Sequence, residues 1–279
     1  MVTFEVGDYK LTTLEFGRFK LDGGAMFGVV PRVLWARFHP PDENNQIDMA
    51  LRCLLIEGGG KRILVDAGFG PHRTERFRQM YAFTGSDDYL DRGLEAVSRR
   101  REDITDVFLT HLHFDHCGGA SMLVDGKRRP SFPNAQYHYQ RDQLEHARKR
   151  FERDKASYFA DDFEPPLNTG QGIIHDGPFN LTPDIDALIC NGHTPGMQLP
   201  RIRGGGRTVV YAADLIPLSS QFPLPWIMSY DLYPVQTLEE KRIILTEAAR
   251  EEWLFIFEHD PIVTSGQVVM SERGFALKK

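Results

Sequence analysis

The chain has 279 residues, a net charge of −6, and ordinary shares of apolar (41%) and charged (26%) residues. This is the profile of a soluble globular protein, long enough to bury a substantial core, and its charge argues against a nucleic-acid backbone as the main partner. Cys53, Cys117 and Cys190 are widely spaced and odd in number, which excludes a disulfide framework and fits a reducing compartment. The N-terminus lacks the basic and apolar regions of a signal peptide, and no run approaches the roughly 18 apolar residues of a membrane span. The expectation is a cytoplasmic protein with no membrane or nucleic-acid partner, built as one domain over residues 1–279.

Alternation at the start of the chain predicts strands at Thr3–Val6 and Leu11–Phe16. Residues 21–35 are rich in Gly and large apolar side chains without a clean period, and read as a loop. Residues 49–57 and 62–66 read as a hairpin joined through Gly58–Gly60. Asp66 ends its second strand, just before Ala67-Gly68. A carboxylate there can be a turn former, or it can orient metal-bound histidines from behind. A polar helix is predicted over 87–100, with Arg99-Arg-Arg101 as its solvated basic end. Ile104–Thr110 reads as a short buried strand. It delivers Thr110-His-Leu-His-Phe-Asp-His-Cys-Gly-Gly119, whose glycine pair reads as a turn or tight helix entry.

A charged helix is predicted over 139–159, with a narrow stripe of Leu144, Ala147 and Phe151. It can pack one edge on the body, or serve as a lid or homodimer contact. His138 and His146 read as ordinary polar residues. The strand Ala187–Cys190 leads into Asn191-Gly-His-Thr-Pro-Gly196, and Thr208–Ala213 delivers Asp214. Thr237 with Glu240 reads as a capping box ahead of a helix to about Glu251. The strand Trp253–Phe257 delivers Glu258-His259-Asp260.

Five segments therefore end alike, in an apolar strand followed by a metal-competent side chain. Three imidazoles and a carboxylate within His111–His116 point to a metal site, because borderline cations such as Zn²⁺ take imidazole nitrogen with carboxylate oxygen as a second ligand type. The ligand count suits two divalent ions: His111, His113 and His193 for the first, Asp115, His116 and His259 for the second, and Asp214 bridging. Two ions roughly 3.5–4 Å apart can clamp a hydroxide and polarise the bond it attacks. Zinc is the expected metal, with manganese, iron and cobalt as alternatives.

This set resembles the metallo-β-lactamase superfamily in its hydrolase branch. The resemblance rests on His111-Leu-His-Phe-Asp-His116, Gly192-His-Thr-Pro-Gly196, Asp214 and His259, with Val65-Asp-Ala-Gly68 similar to that superfamily's early Asp-x-Gly element. It implies an α/β fold: an αββα sandwich of two mixed sheets flanked by helices, with a dinuclear site at one sheet edge. His113 stands where the oxygen-reducing diiron branch typically has Glu, which disfavours an iron redox enzyme. Only twenty residues follow His259, too few for the C-terminal basic helices of a glyoxalase II. The nearest likeness is to the acyl-homoserine lactonases, then to the methyl-parathion-hydrolase type of phosphotriesterase.

The implied chemistry is hydrolysis of a small lactone or carboxylic ester by a metal-bridging hydroxide, with Asp115 holding the hydroxide and passing a proton to the leaving alkoxide. Tyr211, Tyr230 and Tyr233 are read as structural rather than catalytic, and Cys117 as a small buried residue rather than a ligand. The substrate pocket is expected from Met26, Phe27 and Trp35 of the N-terminal loop and Phe222, Trp226 and Met228 of the Pro-rich segment after Asp214.

Overall fold

The protein is described by a computed structural model covering residues 1–272 and 274–278. The first sheet begins with β1 (Thr3–Val6), β2 (Tyr9–Asp22), β3 (Gln46–Gly58), β4 (Lys61–Val65) and β5 (Asp106–Phe108). A separate ribbon, β6 (Ser121–Val124) and β7 (Lys127–Pro130), interrupts it. Strands β8 (Gln136–Gln140) and β9 (Gly172–His175) complete its order, β1-β2-β3-β4-β5-β8-β9. The second sheet follows chain order: β10 (Asn180–Thr182), β11 (Ile185–Cys190), β12 (Met197–Gly204), β13 (Arg207–Tyr211), β14 (Leu254–Ile256), β15 (Ser265–Ser271) and β16 (Gly274–Leu277). Both sheets are mixed.

Strand β3 explains the layering. Met49, Leu51, Cys53 and Leu55 point into a core shared with the helices outside the first sheet. Leu54 and Ile56 point the other way, into a core shared with Ala187, Leu199, Val209 and Phe255 of the second sheet. Side chains alternate along a strand, so a strand covered on both faces reads as a continuous apolar run. The far face of the second sheet is covered by the helix Pro234–Arg250, through Ile244, Leu245 and Ala248. The result is the αββα sandwich. Among the described residues, no helix is long and apolar enough to cross a membrane.

Parallel pairing creates the functional edge. Strand β4 runs parallel to β5, with Val65 beside Phe108, and β13 runs parallel to β14, with Tyr211 beside Ile256. Their C-terminal ends therefore emerge together. Backbone bonds stitch the sheets there: Ala50 N donates to His259 O (2.9 Å) and Gln198 N to Thr110 O (2.8 Å).

Several local expectations change in three dimensions. Residues 21–35 contain two short helices, Gly23–Phe27 and Arg32–Trp35. Asp22 caps the first by accepting from Ala25 N at 2.7 Å. Gly23 is needed there because a Cβ would stand 2.5 Å from the Trp35 ring.

The predicted 139–159 helix is only Arg141–Lys149, closed by Arg150 in the left-handed region (φ 51°), and Phe151 is left exposed outside its stripe. A second helix, Ala160–Asn168, carries Pro165-Pro166 inside it, a pair that argues against a helix locally. The helix predicted over 87–100 is Tyr89–Glu95. Its basic end is not simply solvated, since Arg101 is buried and pairs with Asp91 while Arg99 reaches Glu57.

The Thr237 and Glu240 capping box is also corrected. The last helix starts one turn earlier, at Pro234, where proline's fixed φ suits a first helical position. Thr237 Oγ1 bonds back to Tyr233 O, and Glu240 turns to the His193 loop instead.

Candidate metal centre

The chain that carries the first ligands is bent tightly and braced from behind. Asp66 sits in the left-handed region (φ 59°), a conformation costly for a non-glycine residue and common at functional sites. There its carboxylate accepts both Thr110 N and Thr110 Oγ1, each at 2.7 Å, which fixes the exit from β5. His113 lies in extended backbone. The chain then closes one helical turn, Phe114–Cys117, with Cys117 N donating to His113 O at 2.9 Å. That turn swings Asp115 and His116 toward a second focus.

Gly118 and Gly119 matter for close approach rather than for a loose turn. A Cβ on Gly119 would stand 2.2 Å from Ala67 O, and one on Gly118 2.4 Å from Phe69 O. The His193 loop is equally tight: Glu240 accepts Asn191 N and Gly192 N at 2.8 and 3.0 Å, and a Cβ on Gly192 would collide with Thr237 N at 2.3 Å.

All seven candidate ligands converge in two groups, and Asp214 divides them. His111 Nε2 and His193 Nε2 lie 3.0 and 3.2 Å from His113 Nδ1. Asp214 Oδ2 faces this trio, 3.2 Å from His193 Nε2 and 3.8 Å from His111 Nε2. Its other oxygen, Oδ1, faces the second group, 3.3 Å from His259 Nε2 and 3.5 Å from His116 Nε2. Asp115 Oδ2 closes that group at 3.8 Å from His259 Nε2 and 4.0 Å from His116 Nε2.

The set fits two divalent cations on its own chemistry. Imidazole nitrogens so close can share only a proton between each pair, and Asp214 Oδ1 is buried without a hydrogen-bond partner, a cost that an ion between the groups would relieve. Each site would hold three protein ligands plus one Asp214 oxygen.

The outward nitrogens are held as metal-bound histidines require. His193 Nδ1 lies 2.8 Å from Asp231 Oδ1, and His259 Nδ1 is 3.0 Å from Ala50 O. His116 Nδ1 faces two buried carboxylates, Asp66 Oδ2 at 3.1 Å and Glu258 Oε2 at 3.0 Å. His111 Nδ1 meets Thr110 Oγ1 at 3.1 Å.

Charge follows from these partners. Burial, aided by the neighbouring imidazoles, holds His111 and His113 well below the ordinary histidine range. Burial opposes charge on His116 too, but Glu258, Asp214 and Asp115 outweigh it and raise this ring well above that range. His193 is raised to about 9 by Asp214 and Asp231 against burial. Glu258 is pushed up to about 7, by burial and by Asp66.

Asp66 does more than form a turn, since its carboxylate bonds Thr110 and stands 3.1 Å from His116 Nδ1. The sequence reading passes over Glu258, Asp231 and Thr110 as partners of the site. Glu258 had a signal, being a buried acid beside His259. Asp231 had none, since it reaches His193 across 38 positions.

A cavity of about 430 Å³ opens onto the site, walled by Leu21, Tyr81, Phe114, Arg153 and Tyr230, with His113, Asp115, His193 and Asp214 at its floor. None of the six residues expected to form the pocket lines it. Met26, Phe27, Trp35, Phe222 and Met228 are core residues, each at most 4% exposed. Phe27 stacks on Trp35, and the partly buried Trp226 packs edge-on against Phe27. Lys241 anchors the Pro-rich segment inward through the carbonyls of Gln221 and Trp226.

Of the tyrosines, Tyr211 is buried and donates to Arg52 O, Tyr233 is half exposed, and Tyr230 lines the cavity. Cys117 is buried and donates to Leu112 O. His138 is more than an ordinary polar residue, being buried between Asp106 and His175, and His146 pairs with Asp154.

Known proteins resemble this chain in sequence and fold. A probable metallo-hydrolase of Mycobacterium tuberculosis is 26% identical over 258 residues, covering 78% of this chain and 77% of that protein. An N-acyl homoserine lactonase of Bacillus cereus is 28% identical over 163 residues, 55% of this chain and 58% of its own length. Among solved structures, a probable metal-dependent hydrolase from Staphylococcus aureus superposes with a TM-score of 0.90 at 26% identity, covering 99% of both chains. The dizinc quorum-quenching lactonase AidC superposes with a TM-score of 0.80 at 24% identity, over 99% of this chain and 96% of that one, a likeness of fold. Residues 52–259 match the model of the metallo-β-lactamase superfamily. That span holds every converging ligand, so the chain belongs to the metallo-β-lactamase superfamily and is one of its metal-dependent hydrolases.

Proposed function

We propose that this chain is a dinuclear hydrolase that opens lactones or cleaves carboxylic esters of small molecules, acting in the cytoplasm as one domain over residues 1–279. The observation that carries the reading is the division of seven buried ligands into two groups by the two oxygens of Asp214. Two divalent ions, zinc by expectation, would supply a nucleophile from water at neutral pH and Lewis-acid stabilisation of a developing oxyanion. His111, His113, His193 and Asp214 would hold one ion; Asp115, His116, His259 and Asp214 would hold the other.

The chain's own residues supply the rest. Asp115 borders both the second group, through Oδ2, and the cavity, so its other carboxylate oxygen can hold a proton and release it to the leaving oxygen. Asp231, Glu258 and Asp66 keep the imidazoles oriented. Leu21, Tyr81, Phe114 and Tyr230 offer an apolar wall for the acyl part of a substrate. The lactonase names among the relatives support the lactone choice.

The test is purification without chelators, metal per chain, and assay on an acyl-homoserine lactone, an aryl ester and an aryl phosphotriester. Two metals with chelation-sensitive lactone or ester hydrolysis support the proposal. Activity on the phosphotriester alone would transfer the reading to the phosphotriesterase type. One iron, or no metal, without hydrolysis would end it.

A further inference from the structure

A second cavity, of about 320 Å³, lies outside the metal centre between the segment 72–77, the ribbon residue Arg128, and the region 150–161. Its lining carries three guanidinium groups, Arg73, Arg128 and Arg150. Asp162 takes up the charge of Arg73, and Asp161 stands 3.5 Å from Arg128, which leaves the cavity one positive charge in excess.

Two of its polar groups are unsatisfied. His72, whose side chain is 9% exposed, binds Asp162 through Nε2 at 3.1 Å, while its buried Nδ1 has no partner. Arg128 Nη1 is likewise buried without a partner, and Arg128 Nε reaches Asp161 only at 3.5 Å. Buried polar groups left open in this way are costly unless a ligand completes them. The nine-residue helix Ala160–Asn168 also starts at this cavity without a side-chain cap; Asp161 and Asp162 in its first turn offset its dipole, so what its start offers is amide donors rather than charge.

The walls are flat and apolar. Phe77 and Phe159 line the cavity, and Arg73 stacks on both, 5.3 and 4.3 Å from their ring centres. Arg73 is committed to Asp162 and Phe69 O, so it sets the shape. Arg128 and Arg150 are the arms available to a ligand.

We propose that this cavity is a binding site for a small oxyanion attached to a flat apolar group, the shared chemistry of an aromatic carboxylate and an aryl phosphate. The anion sits between Arg128, Arg150 and the start of the Ala160 helix, and the ring lies against Phe77 and Phe159. The site is separate from the metal centre and does not depend on the reaction proposed there.

The test is calorimetric titration of the metal-loaded protein with benzoate and, separately, phenylphosphonate. It is repeated on Arg128→Gln and Arg150→Gln, which leave Arg73 and the fold in place, and on Asp214→Ala, which removes the shared ligand and with it anion binding at the metals. The expected result is a saturable site for at least one probe, kept in Asp214→Ala and weakened about ten-fold by either arginine variant through loss of a charge-assisted hydrogen bond. Tighter binding of benzoate assigns the site to carboxylates, and tighter binding of phenylphosphonate to phosphate esters. No saturable binding of either probe, or binding that both arginine variants retain unchanged, would overturn the proposal.

Discussion

His111 and His116 leave the same strand end, and their ring centres are 3.9 Å apart. Yet burial drives His111 below the ordinary imidazole range, while carboxylates lift His116 above it. The cause lies behind the rings. The first group is backed by a hydroxyl at His111, one carboxylate, Asp231, at His193, and no partner at His113 Nε2. The second is backed by two buried acids, Asp66 and Glu258, converging on His116 Nδ1. The second group also has Asp115 where the first has a third imidazole. With carboxylates both beside and behind its rings, the second group is expected to hold a divalent cation more strongly.

This contrast can be broken most severely at the shared ligand. Asp214→Ala should abolish it by emptying both sites, with hydrolysis falling at least about 10³-fold, a loss of several kcal/mol of transition-state stabilisation. Metal analysis should find well under two ions per chain; full activity with two ions retained would refute the ligand assignment. Glu258→Gln keeps the shape behind His116 but removes the charge. It should weaken one metal site about 10–100-fold, read as a single ion lost early in a chelator titration. Asp231→Asn should act on the other site, by about ten-fold, and the two variants should lose different ions when sites are distinguished with cobalt spectroscopy. Identical behaviour would mean that the halves are not distinct.

Proton linkage sharpens the contrast in metal-stripped protein. The folded His193 lies near 9 against an ordinary value of 6.5. Its pairing with Asp214 and Asp231 therefore stabilises the fold fully below pH 6.5 and is lost as pH rises through about 9. Thermal denaturation of the stripped chain should fall over that window. With metals bound the same histidine must be neutral, so the fall should vanish and metal affinity should instead rise with pH.

The smallest effect on activity is expected in the core beside the Pro-rich segment. Met26→Ala should cost about 2–5 kcal/mol of stability and leave kcat/KM unchanged. Phe114→Ala, in the cavity wall, should raise KM.

The reach of the sequence differs between these regions. Histidines and aspartates at strand ends are legible because hydrolytic metal chemistry needs particular donor atoms at short spacing, and because parallel strands bring their ends together. Asp66 could be read both ways from the sequence, and only the fold sets its carboxylate against Thr110 and His116. Glu258 was visible as a residue but not as a partner. Asp231 was invisible, since only folding places it under His193. The apolar N-terminal loop misled for a simple reason: Met26, Phe27 and Trp35 have the composition of a pocket wall, and a core has that composition too.

What the sequence determined by itself was the superfamily, the layered α/β fold and the seven candidate ligands, because these are written in local pattern and donor chemistry. What only the tertiary structure decided was which side chains face the substrate cavity, which acids stand behind the imidazoles, and where a second cationic cavity opens. Those depend on contacts between segments distant in the chain. Burial and charge at such contacts are properties of the packed neighbours, not of the residues alone.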